Sequence, residues 1–115
     1  MRVTTDIWVS ALTRRAFSTG GYAAIVHRGS SEAGAVMITV RNRMGETTLY
    51  APAPQTSYDE TKPEDRLFVE VTKSDDPELI DKKIERERKF DPDLWVVDLD
   101  VDDATFQELV GVTTP

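Results

Sequence analysis

Apolar positions recur at helical spacing near the start of the chain. Trp8, Val9, Leu12 and Ala16 fall on one side of a helical wheel drawn over residues 6–19, with Ser10, Thr13 and Arg14 opposite. Asp6 is the expected N-cap and Gly20-Gly21 the stop. Phe17 lies off this stripe. The period then changes. Tyr22 to Arg28 is a short β-favouring run ended by Gly29-Ser30-Ser31, and Ala33 to Val40 is almost continuously apolar, the mark of a central strand. A polar link of hairpin length joins the two. Arg41-Asn42-Arg43-Met44-Gly45 reads as a turn into a third strand, Glu46 to Ala51. Three strands joined by short turns predict an antiparallel meander.

Residues 52–65 hold three prolines and little apolar content, and read as one long loop of the kind that carries function or mobility. Leu67, Val69 and Val71 then alternate with Phe68, Glu70 and Thr72 as a strand. Residues 75–89 form the clearest helix. Asp75 or Asp76 caps it, Pro77 occupies its first turn, and Leu79, Ile80 and Ile84 are its few apolar side chains. Such a helix lies on a surface with a thin stripe inward. Asp91-Pro92 ends it. Leu94 to Val101 is a strand, apolar on both faces at first and alternating afterwards, and residues 104–110 suggest a short terminal helix. The expected order is α-β-β-β-β-α-β. That predicts an α+β domain whose mostly antiparallel sheet of about five strands carries an N-terminal helix and a C-terminal-half helix on one face. The other face would stay open to a partner.

Composition narrows the function classes more than it selects among them. A chain of 115 residues fits one domain, taken as 1–115, and buries about two-thirds of its unfolded surface without staples. It has no cysteine, which removes disulfides, thiolate zinc sites and cysteine nucleophiles, and fits a reducing cytoplasm. The first apolar stretch, Ile7-Trp8-Val9, is too short for a signal-peptide core or a membrane span. The net charge of −7 argues against nucleic acid as a partner. Charge is unevenly spread: residues 1–50 carry six Arg against three acids, and residues 51–115 carry eight bases against eighteen acids. Halves of opposite sign favour attraction within the fold or between copies.

Candidate chemistry is sparse. His27 is the only histidine, and no Gly-x-Ser-x-Gly elbow surrounds any serine that could pair with it. Asp98 and Asp100 point the same way on an extended strand, about 7 Å apart, and two such carboxylates could hold a divalent metal for hydrolysis or phosphoryl chemistry. The alternative is a solvated strand edge that discourages edge-to-edge pairing. Arg14, Arg15 and Arg28, with His27 beside them, could cluster into an anion or nucleotide site if the first helix delivers them together; otherwise they serve acids of the second half. Trp8 and Trp95 sit in amphipathic elements and are expected in the core. No phosphate-cradling loop, dinucleotide fingerprint or zinc signature is present, so no cofactor is expected.

Several segments, taken in order, resemble a bacterial family. They are Ile7-Trp8-Val9-Ser10-Ala11 with Arg14-Arg15, then His27-Arg28-Gly29, Ala33-Gly34-Ala35-Val36, and finally Phe90-Asp91-Pro92-Asp93-Leu94-Trp95-Val96-Val97. The family is the mainly alphaproteobacterial domain of unknown function DUF 1491. Its pattern carries Arg where this chain has His27 and differs through the middle loop. The resemblance implies one domain and a bacterial cytoplasmic origin, and assigns no catalytic residue. The function expected from the whole is a small non-catalytic cytoplasmic binding module, with homo-oligomer or protein partner and no membrane. A metal-dependent enzyme using Asp98 and Asp100 is the first alternative, and an anion sensor using Arg14, Arg15 and Arg28 the second.

Overall fold

The computed structural model describes residues 3–54 and 66–113. Helix α1 spans Thr5–Ser18, followed by β1 (Tyr22–His27), β2 (Val36–Arg41), β3 (Thr47–Pro52), β4 (Leu67–Ser74), α2 (Pro77–Phe90), β5 (Trp95–Asp100), α3 (Asp103–Leu109) and β6 (Gly111–Val112). The first seven elements follow the order expected from the sequence, and the protein is α+β. The short β6 carried no sequence signal. Most of the long proline-bearing loop lies outside the described residues.

Strand order differs from a meander. The six-stranded sheet runs β1-β5-β2-β3-β4-β6, so β5 separates β1 from β2. It pairs antiparallel with β1 and parallel with β2, while β2-β3-β4 form the expected antiparallel run. The cause is burial. Val36 to Val40 and Trp95 to Val97 are buried on both faces, and a strand apolar on both sides belongs in the middle of a sheet. Tyr22 to His27, with two alanines, suits the edge. The link between β1 and β2 is no hairpin turn. It crosses the entrance of β5, where the Ser30 amide donates to the Asp93 carbonyl at 3.0 Å and Trp95 Nε1 donates to the Ser30 carbonyl at 2.7 Å.

The helices also divide between the two faces instead of sharing one. Val9, Leu12 and Ala16 of α1 pack with Phe106 and Leu109 of α3 on Val36, Ile38, Val40, Trp95, Val97 and Leu99. Ile80 of α2 packs on Met37, Leu49, Leu94 and Val96 from the opposite side, with Ile84 half-buried beside it. Alternation along β2 and β5 makes both faces greasy, so one layer of helices could not cover the sheet. Because α2 stands mainly over β3 and β4, no described helix covers the same face of β1 and of the end of β5.

The start of α1 is tied to the rest by its first residues. Thr4, not Asp6, is the N-cap, and its hydroxyl donates to the Asp6 carboxylate at 2.6 Å. Buried Thr5 donates its hydroxyl to the Gly34 carbonyl at 2.9 Å and accepts from the Arg66 guanidinium at 2.7 Å. Arg66 also lies over the ring of Trp8, which stacks on Phe68 at 5.7 Å and is half-buried. Trp95 is wholly buried. Helix α2 begins as expected, with the Asp76 carboxylate accepting from the Glu78 amide and Pro77 in the first turn.

Candidate functional site

A concavity lies at the carboxyl ends of the central parallel pair. After Arg41, β2 turns within the sheet toward β3. After Asp100, β5 leaves the sheet and climbs into α3. Neighbouring parallel strands whose continuations part in this way open a crevice outside their carboxyl ends. Here the crevice measures about 680 Å³. One wall carries Arg41, Asn42 and Arg43, the other Asp100, Asp102 and Asp103, and the turn at Gly20-Gly21 closes one side.

Some of these groups are engaged in local structure. Asp102 caps α3 by accepting from the Thr105 amide at 2.7 Å. That amide, helped by the Thr105 side chain and the Arg43 guanidinium, holds the Asp102 carboxyl below the usual carboxylate range. The Asn42 side-chain oxygen accepts from the Met44 and Glu46 amides at 2.9 and 3.0 Å, which locks the turn. Close by, Tyr50 packs on Phe106 with ring centroids 4.8 Å apart. Burial, then the negative charges of Glu70 and Asp103, raise the Tyr50 pKa above its ordinary 10.0. The unfolded chain therefore loses this phenolic proton first as pH rises, so Tyr50 lowers stability from about pH 10 upward. Ultraviolet titration of wild type against Tyr50→Phe should show one phenol ionising late. A phenol titrating at or below its ordinary value would contradict this.

The residues singled out from sequence are dispersed. Arg15 donates to the Glu108 carbonyl at 3.2 Å, at the end of α3, and Arg14 is exposed on α1. Arg28 lies over the Trp95 ring at 5.2 Å, at the entrance of β5. Helix α1 runs back along β1, so Arg14 and Arg15 lie toward one end of the strand and Arg28 toward the other, about 20 Å along it. His27, half-buried, pairs with Val96 at the Arg28 end. Asp98 accepts from the Thr39 hydroxyl at 2.9 Å, whereas Asp100 is exposed in the crevice. Among the described residues, no group of three or more His, Cys, Asp or Glu is placed to hold a metal ion.

The sequence profile of a family described as "Protein of unknown function (DUF1491)" matches residues 3–107. The chain belongs to the DUF1491 family. The solution structure of protein Atu0922 from A. tumefaciens is similar at 38% identity with a TM-score of 0.81, covering 100% of this chain and 98% of that one. A DUF1491 crystal structure from Caulobacter crescentus is similar at 31% identity and a TM-score of 0.76, covering 98% and 99% of the two chains. An NMR structure of a Caulobacter crescentus DUF1491 protein matches with the same identity and score, over 98% of each chain. No curated protein matches the sequence.

For this DUF1491 member, sequence reasoning missed the crevice as a unit. Arg41 and Arg43 read as turn residues and Asp100 to Asp103 as an acidic strand end. Only the insertion of β5 beside β2 brings the two segments together. A second groove, about 470 Å³, lies between α2 and the sheet over Met37, Leu49 and Leu94, with Lys83, Arg86 and the 80% exposed Phe90 at its rim.

Proposed function

We propose that this DUF1491 protein is a non-catalytic cytoplasmic module that works by docking, first of all onto a second copy of itself. The observation that carries this reading is the edge at β1, which no other described strand pairs on its outer side. Among the described strands, Tyr22 to His27 is the outermost on its side of the sheet, and it bears no Lys, Arg, Asp or Glu. Beside it stand Val26, Tyr22 and Phe17, 65%, 55% and 53% exposed, with Phe17 and Tyr22 in edge-on contact at 5.6 Å. An edge with unpaired backbone groups, without Lys or Pro to blunt it, is a template for another strand.

Charge supports a second copy as the occupant. The chain carries a net charge of −7, so two copies repel over most of their surface and approach most easily where neither presents a carboxylate. Antiparallel β1–β1 pairing about a two-fold axis meets that condition along the strand edge itself. The bulge between Ile25 and His27 limits pairing to the first residues of the strand and leaves Val26 as a knob at its end.

Sedimentation equilibrium over a wide concentration range tests this. Wild type should self-associate, and Val26→Lys should stay monomeric. Its thermal midpoint should barely move, because an exposed substitution changes stability by only about 0.5 kcal/mol. Wild type that remains monomeric up to its solubility limit, or a dimer that survives Val26→Lys, defeats the reading.

A further inference from the structure

We infer that the crevice at the carboxyl ends of β2 and β5 is a binding site for a small zwitterion, specifically a short peptide with free amino and carboxyl termini. At about 680 Å³ it falls within the size range of small-molecule sites, about 300–1,000 Å³. It exceeds what one amino acid would fill, and an extended tripeptide of about 10 Å matches it better.

The two walls carry opposite charges that remain apart. Arg41 and Arg43 project from the β2 side, and Asp100 and Asp103 from the β5 side. None of these four side chains makes a hydrogen bond or ion pair among the described residues. A simple anion drawn to the arginines would face the aspartates, and a simple cation would face the reverse. A molecule with a carboxylate at one end and an ammonium at the other answers both walls, through charge-assisted hydrogen bonds. Asp102, held by the Thr105 amide, contributes field more than a free acceptor.

The frame around these charges is held by hydrogen bonds of its own. Asn42 fastens its turn through the Met44 and Glu46 amides, and its own amide donates to the Glu46 carbonyl at 2.9 Å. Gly45 takes φ +84°, the left-handed conformation that this tight turn requires. On the opposite rim the Gly21 amide is held by the Ala16 carbonyl at 3.0 Å. Such a site loses little order on binding.

The test is a ¹H–¹⁵N NMR titration of the full chain with triglycine. N-acetyl-triglycine, triglycine amide and inorganic phosphate serve as separate arms. Triglycine should shift the amides of Gly20, Gly21, Asn42, Arg43 and Met44, and should bind about tenfold more tightly than either blocked peptide, the loss expected on removing one charged partner. Arg41→Gln and Asp100→Asn should each weaken it by a similar factor. Both residues are exposed, so the folded spectrum should persist, and Val26→Lys should bind as wild type does. Equal binding of the blocked peptides, a phosphate response matching that of triglycine, or unmoved crevice amides up to the solubility limit would overturn the inference.

Discussion

Trp95→Ala should cost about 3–5 kcal/mol of folding stability, the range for truncating a buried aromatic. Domains of this kind are stable by only about 5–15 kcal/mol, so the variant should be partly unfolded at physiological temperature. The indole is wholly buried at the start of β5, in the core under α1 and α3. It also holds the crossing link, since Nε1 donates to the Ser30 carbonyl at 2.7 Å and Arg28 lies over its face. Removing it leaves a cavity and takes from the Ser30 carbonyl its shorter hydrogen bond, leaving only the Gly34 amide at 3.4 Å. Urea unfolding of Trp95→Ala, Trp95→Phe and Trp8→Ala separates these contributions. Trp95→Phe should lose less than Trp95→Ala. Trp8→Ala should also lose less, because Trp8 is half-buried and packs at the margin between α1 and Phe68. Equal losses for the two alanine variants would mean that Trp95 does not anchor the sheet.

Gly34→Ala comes next in expected effect, at about 1–3 kcal/mol, although it adds a single methyl group. A Cβ at Gly34 would stand 2.3 Å from the Asp93 carbonyl oxygen, 2.9 Å from Trp95 Cδ1 and 3.0 Å from the Ser30 carbonyl oxygen. Two of those three neighbours are backbone atoms and cannot swing aside. Gly29 is as tightly placed, with its Cβ position 2.0 Å from the same Asp93 oxygen. The link from β1 to β2 therefore passes directly over the entrance of β5, and that passage permits β5 to lie between them. Hydrogen exchange should report the damage locally: the Ser30 amide, donor to Asp93, should lose protection in Gly34→Ala before the β3–β4 amides do. Unchanged stability and unchanged exchange at Ser30 would show that the crossing has slack.

These two residues also mark where local sequence stops being informative. The apolar run from Ala33 to Val40 announced a central strand and that from Leu94 a strand apolar on both faces at first, and the structure places both in the middle of the sheet. Neither run states its neighbour. The Gly29-Ser30-Ser31 link has the length and composition of a hairpin turn, and a hairpin would satisfy β1 and β2 locally. What decides against it is non-local. A β5 buried on both faces needs a partner on each side, and the glycines let the link step over its entrance to provide one. The helices follow the same logic. The thin stripe of Leu79, Ile80 and Ile84 does not say which face it meets, and α2 goes to the face that α1 and α3 leave bare.

The proposed peptide site depends most heavily on that non-local step. Arg41 and Asp100 lie 59 positions apart, and each is ordinary in its own segment: a base beside a turn, an acid at a strand end. They face each other across a crevice only because β5 runs parallel to β2 and in register with it, Thr39 opposite Asp98 and Val40 opposite Leu99. By contrast, Arg14, Arg15 and Arg28 looked close in sequence order. A helix running back along its following strand carries them toward opposite ends.

On its own, the sequence settled the order and kind of most elements, the α+β class, both helix stops and the family. The elements, the class and the helix stops follow from short-range periodicity, capping and turn chemistry, which act within a few residues, and the family from the resemblance of a few short segments. Tertiary structure alone decided the strand order, the division of helices between two faces and the meeting of arginines with aspartates. Those depend on which apolar surfaces must be covered from both sides, a requirement that no single segment carries within itself.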